Sequence, residues 1–156
     1  MKTMIIIPAL VLIFGISALL ASANPVINEA DAPKFLFTMG AKSGSYKDGK
    51  LTLNDVPLVV YFSDRPHRIS GMLSLEVFAQ GWGQGPDSFK ADPPNATLSI
   101  MGKDGANNVV VEISDPNADV MKGSITFNVR VLEGEIPVSF GTATLFVDSL
   151  GQISHF

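Results

Sequence analysis

Along most of this chain apolar residues return at every second position, the spacing of a strand with one face against a core. Phe35, Phe37 and Met39 alternate with Leu36 and Thr38, which predicts a strand from Lys34 onward. The stretch AKSGSYKDGK, residues 41–50, reads as turn material, with Asp48-Gly49 as a hairpin signal. Leu51 and Leu53 then alternate with Thr52 and Asn54 until Asp55-Val56-Pro57 stops the run. Leu58–Phe62 is a short apolar run between Pro57 and Pro66, too short for a buried helix, and predicts a buried strand. Further on, Leu98 and Ile100 alternate with Thr97 and Ser99, and Asp104-Gly105 marks another hairpin. Val109, Val111 and Ile113 follow, and Asp115–Asp119 reads as a loop. Ile125, Phe127, Val129 and Val131 give the cleanest period of two, and Ala143, Leu145 and Val147 give the last. About seven short strands with turn signals between them predict a mainly β fold, a single antiparallel β-sandwich or partly open barrel. Alternation on one side argues against a parallel sheet buried on both faces.

The middle of the chain breaks this rhythm. YFSDRPHRISG, residues 61–71, crowds Asp64, Arg65, His67 and Arg68 around Pro66. One short helix is expected next: Ser74 caps it, Glu76 sits in its first turn, Leu73 and Phe78 staple its start, and Gly81 ends it. GWGQGPDSFKADPPNA, residues 81–96, has three glycines and three prolines and reads as a long structured loop. Trp82 and Phe89 are the apolar groups that pin it down, in the manner of an Ω-loop.

The start of the chain sets its destination. Lys2, an apolar stretch Met4–Leu20 and Ala21-Ser22-Ala23 make a secretory signal peptide over residues 1–23, cleaved before Asn24. An uncleaved anchor is the alternative, but the stretch is at the short end of the spanning range of ~17–25 residues, with Pro8 and Gly15 inside it. Residues 24–33 read as a flexible leader and residues 34–156 as one β domain. The mature chain of 133 residues holds no cysteine, so its core must suffice without disulfides, and thiol chemistry is excluded. It carries ten basic against fifteen acidic residues with no basic stripe, which disfavours nucleic acid as a partner. The expected location is periplasmic or extracellular, and the only expected membrane contact is through the signal peptide.

The segment Tyr61–Leu98 resembles one shared by an uncharacterised family of small exported bacterial proteins. The shared pattern is Y-F-S-D-R-P-x-R, a short helix, W-G-x-G-P-D-S-F, then D-P-P-N-A-x-L. His67 falls at the variable position, and Gly81 departs from the pattern at the helix end. The resemblance implies export and a bacterial source, and implies no reaction.

Two readings of the middle segment are open. In one, Tyr61, Asp64, Arg65, Arg68, Trp82, Asp87, Asp92 and Asn95 form a surface that binds a protein or small molecule, since Arg and Trp dominate binding energy at interfaces. In the other, Asp64 holds turn amides and Arg65 or Arg68 pairs with Asp87 or Asp92 to fix the long loop. The favoured function is an exported non-catalytic binding protein. The alternatives are a hydrolase or lyase using Asp64, His67, Asp87 or Asp92 as acid and base, and a structural or assembly subunit that contributes an edge strand. No triad and no G-x-S-x-G elbow is apparent. Asp115, Asn117 and Asp119 resemble the start of a calcium loop, but Val120 stands where glycine is needed and Thr126 where glutamate is needed. Two histidines, His67 and His155, are too few for a zinc site, and no cofactor is expected.

Overall fold

A computed structural model of the chain describes residues 33–148. The expected signal peptide, leader residues 24–32 and His155 lie outside the described residues. Among the described residues the order is β1 (Phe35–Ala41), β2 (Ser43–Lys47), β3 (Lys50–Asn54), β4 (Val59–Ser63), β5 (Ser70–Leu73), α1 (Leu75–Gly81), β6 (Asn95–Gly102), β7 (Gly105–Asp119), β8 (Ser124–Glu133), β9 (Ser139–Phe140) and β10 (Ala143–Asp148). All ten strands join one antiparallel sheet in the order β5-β4-β1-β10-β6-β7-β8-β3-β2-β9. The mainly β, antiparallel class with one short helix holds, and the sheet is single and not closed into a barrel.

Alternation becomes burial. Phe37, Met39, Leu51, Leu53, Leu98, Val109, Val111, Ile113, Ile125, Phe127, Leu145 and Val147 are buried in one core, which lies on the sheet's inner face. Laid flat, ten strands would span about 43 Å, whereas the seven residues of α1 make a helix about 10 Å long. So short a helix and one loop cannot cover such a face. Trp82 against Phe127 of β8 and Phe89 against Phe37 of β1 bring non-neighbouring strands into one core, and the bulges in β7 at Val110/Val111 and Ser114/Asn117 are places where such a sheet bends.

Several expectations need correction. Residues 43–47 are a strand, β2, and only Asp48-Gly49 is the turn, with φ of 51° and 74°. The Asp104-Gly105 hairpin turns one residue earlier, at Lys103-Asp104, because Gly102 and Gly105 already face each other. Asp115–Asp119 continues β7 and is not a loop; the bulge and Asp115's left-handed φ of 49° absorb its turn-like composition. The Leu58–Phe62 run is less buried than expected, since β4 lies next to the edge and only Val59 of that strand is fully buried. The helix starts as predicted, with Ser74 Oγ accepting from the Val77 N–H at 3.2 Å. Its end is capped by Trp82 in right-handed geometry, with Gly81 inside the last turn.

Candidate functional site

The cluster around Pro66 is the tip of the β4–β5 hairpin. Its backbone closes on itself. The Ser63 N–H donates to the Ile69 carbonyl at 2.7 Å, and the Arg68 N–H to the Asp64 carbonyl at 3.2 Å. The Ile69 N–H donates to Ser63 Oγ at 2.8 Å. Asp64 ties the tip to the start of β1: its N–H donates to the Lys34 carbonyl at 3.0 Å, and its Oδ1 accepts from the Lys34 N–H at 3.3 Å. The Arg65–Pro66 bond is cis, and Arg68 is held at φ 54°, a conformation that costs a long side chain about 1–3 kcal/mol.

Ser63 and Asp64 thus build the loop, while the basic side chains take no part. Arg65, His67 and Arg68 are exposed. Among the described residues none of the three makes a side-chain hydrogen bond or ion pair. The expected pairing of Arg65 or Arg68 with Asp87 or Asp92 does not form: both carboxylates are exposed on the long loop and bonded to neither arginine. The loop holds itself by other means, with the Ser88 carbonyl accepting from Ala91 and Asp92 and the Trp82 carbonyl accepting from Lys90.

Tyr61 is half-buried and points inward, its ring 5.7 Å from Phe35 and across Gly71 on β5. Trp82 is only 4% exposed, enclosed by Phe89 at 4.7 Å, Phe78 at 5.7 Å and Phe127 at 6.0 Å. Its ring is a pillar of the core and presents no face to a ligand, and its buried Nε1–H has no partner among the described residues. Asn95 is exposed at the start of β6.

Of the four acid–base candidates, Asp64 alone lines the hollow of about 340 Å³ at the hairpin root, with Lys34, Leu36, Phe62 and Asp148. A second hollow of about 510 Å³ lies at the other end of β1, between Lys42, Asp55, Val56 and Thr144, where the sequence drew no attention. Asp115 Oδ2 accepts from Asn128 Nδ2 at 2.9 Å, and Asp119 binds Lys122. Among the described residues no group of three or more histidines or carboxylates is placed to hold a metal ion.

Sequence reasoning missed the cross-strand ion pair. Glu112 on β7 faces Arg130 on β8, and the guanidinium donates to both carboxylate oxygens, at 3.2 and 2.6 Å. Those hydrogen bonds hold the Glu112 carboxyl below its usual range and raise the Arg130 guanidinium. Asp119 is lowered too, first by the Lys122 backbone N–H and then by its ammonium. The register of β7 against β8 was the signal that would have found Glu112 and Arg130, and the bulges hide it. No family model, curated protein or solved structure matches the chain.

Proposed function

We propose that this is an exported, non-catalytic binding protein of the bacterial envelope or extracellular space, whose hairpin tip receives an anionic group of a partner. One observation carries the reading. Every internal bond of the tip closes on Ser63, Asp64 and Lys34, which leaves Arg65 and Arg68 exposed and without side-chain partners among the described residues. Guanidinium groups left free on a fixed loop need break no internal ion pair to bind, and they match carboxylate or phosphate with two parallel hydrogen bonds. Asp64 is committed to a backbone amide and His67 has no carboxylate partner among the described residues, so the tip is better suited to capture than to acid–base work. The apolar stretch Met4–Leu20 followed by Ala21-Ser22-Ala23, the pattern of a secretory signal peptide, supports the location.

The test is capture from the native envelope fraction by the immobilised mature chain. Arg65→Ala/Arg68→Ala is expected to lose the captured set, while Lys103→Ala, in the far β6–β7 turn, keeps it. Unfolding of the double variant should stay within about 0.5 kcal/mol of the parent, because no described contact is removed. An unchanged captured set would refute the reading.

A further inference from the structure

The edge beside the tip is unpaired in a way that names a partner. The Ser63 N–H to Ile69 carbonyl bond fixes the phase of the β4–β5 ladder. Facing pairs then recur at Tyr61–Gly71 and Val59–Leu73, so the peptide groups of Ser70 and Met72 point away from β4. On that side the sheet ends, and among the described residues nothing pairs with them. The strand SGML holds no proline and no lysine to discourage pairing. Met72 is 69% exposed, and Arg65 and Arg68 stand free just before the strand begins.

We propose that β5 accepts an extended acidic segment of a partner protein as an added antiparallel strand, with its backbone on Ser70 and Met72 and its carboxylates on Arg65 and Arg68. The proposal rests on the binding reading above. Charge selects the occupant. A second copy paired antiparallel through β5 would set Leu73, Ser74 and Leu75 against the arginines, and its next carboxylate, Glu76, is bonded to Gln80. An anionic bilayer would satisfy the arginines but not the outward peptide groups, which lipid cannot pair. A strand rich in carboxylates satisfies both.

The test uses a synthetic peptide of alternating valine and threonine with glutamates at its C-terminal end, which antiparallel pairing brings to the tip. Amide exchange at Ser70 and Met72 should slow on its addition. Met72→Pro deletes an outward N–H without removing a bond to β4 and should weaken binding roughly tenfold, as should lysine in place of the peptide's glutamates. Ser70→Pro makes the same change should Met72→Pro not fold, and the exchange measurement needs no variant. Unprotected Ser70 and Met72 amides at the highest soluble peptide concentration would overturn the proposal. So would their protection by self-association without peptide, or equal binding of the lysine peptide. If Met72→Pro keeps envelope capture while Arg65→Ala/Arg68→Ala loses it, the added strand is refuted and the binding reading stands. If neither variant changes capture, both fail.

Discussion

The two edges of the sheet share one device and differ in every other respect. At each, an aromatic ring lies across a glycine of the facing strand: Tyr61 of β4 over Gly71, and Phe140 of β9 over Gly44. A strand glycine has no side chain to pack, and a ring laid over it restores the burial. Beyond that, β9 is two residues long and begins just after Pro137-Val138, a poor template for another chain. β5 has four residues, outward peptide groups and no such guard. Charges follow the same division. Towards β9, Arg130 is paired with Glu112, Lys122 with Asp119, and Lys50 with Asn128. At β5, Arg65 and Arg68 are free among the described residues. Both edges are packed, but only one is closed to further pairing.

The largest effect is expected where the two halves meet. Trp82 touches Phe127 on β8 directly and reaches Phe37 on β1 through Phe89. Trp82→Ala should cost about 3–5 kcal/mol in denaturant unfolding. It should also speed amide exchange in β1 and β8 together; loosening of one alone would show that the halves are separate units. Trp82→Phe should lose much less, since it keeps most of the apolar volume and deletes the orphan Nε1–H.

Next come the edge glycines, which sharpen the comparison because their surroundings differ. A Cβ at Gly71 would meet first the hydroxyl end of the Tyr61 side chain, which can yield by a rotatable bond. At Gly44 it would meet the Phe140 ring and also the Thr52 carbonyl at 2.9 Å, which is backbone and cannot. Gly44→Ala should therefore lower the urea midpoint more than Gly71→Ala, within an overpacking range of about 1–3 kcal/mol. The reverse order would mean that the β5 edge is the more rigid one.

The same division decided what the sequence could reveal. The seven strands legible in the sequence, β4 as a short apolar run and β1, β3, β6, β7, β8 and β10 by alternation, are all interior to the sheet. The three that were not, SGSYK, SGML and SF, are the last two at one end and the last at the other. β5 and β9 have one neighbour each, and β2 has only two paired residues on its β9 side, so burial writes little period into them. Polar and glycine-containing stretches then read as turns. The tip shows a similar limit. Its residues marked a polar corner, but the separation of holders from free cations depends on Lys34, thirty residues from Asp64. Trp82 was legible as a pin for the long loop because an indole in so polar a stretch needs apolar cover. Its simultaneous place on a binding surface was incompatible with that cover.

The smallest effect concerns charge. Glu112 and Asp119, on the side of the sheet with paired cations, have carboxyls lowered from 4.5 and 3.8 by Arg130 and Lys122 respectively. A lowered carboxyl adds stability that is present above its unfolded value and is lost as pH falls through the folded one. Glu112→Gln and Asp119→Asn should therefore flatten the acid limb of the stability profile below about pH 4.5. Both groups are exposed, so the change should be slight and should shrink further in high salt. Arg65→Ala/Arg68→Ala should leave the shape of that limb alone, because neither arginine holds a carboxylate. An acid limb flattened by the tip variant as much as by Glu112→Gln would mean that the open edge's cations are already engaged within the chain, and the contrast in charge between the two edges would be lost.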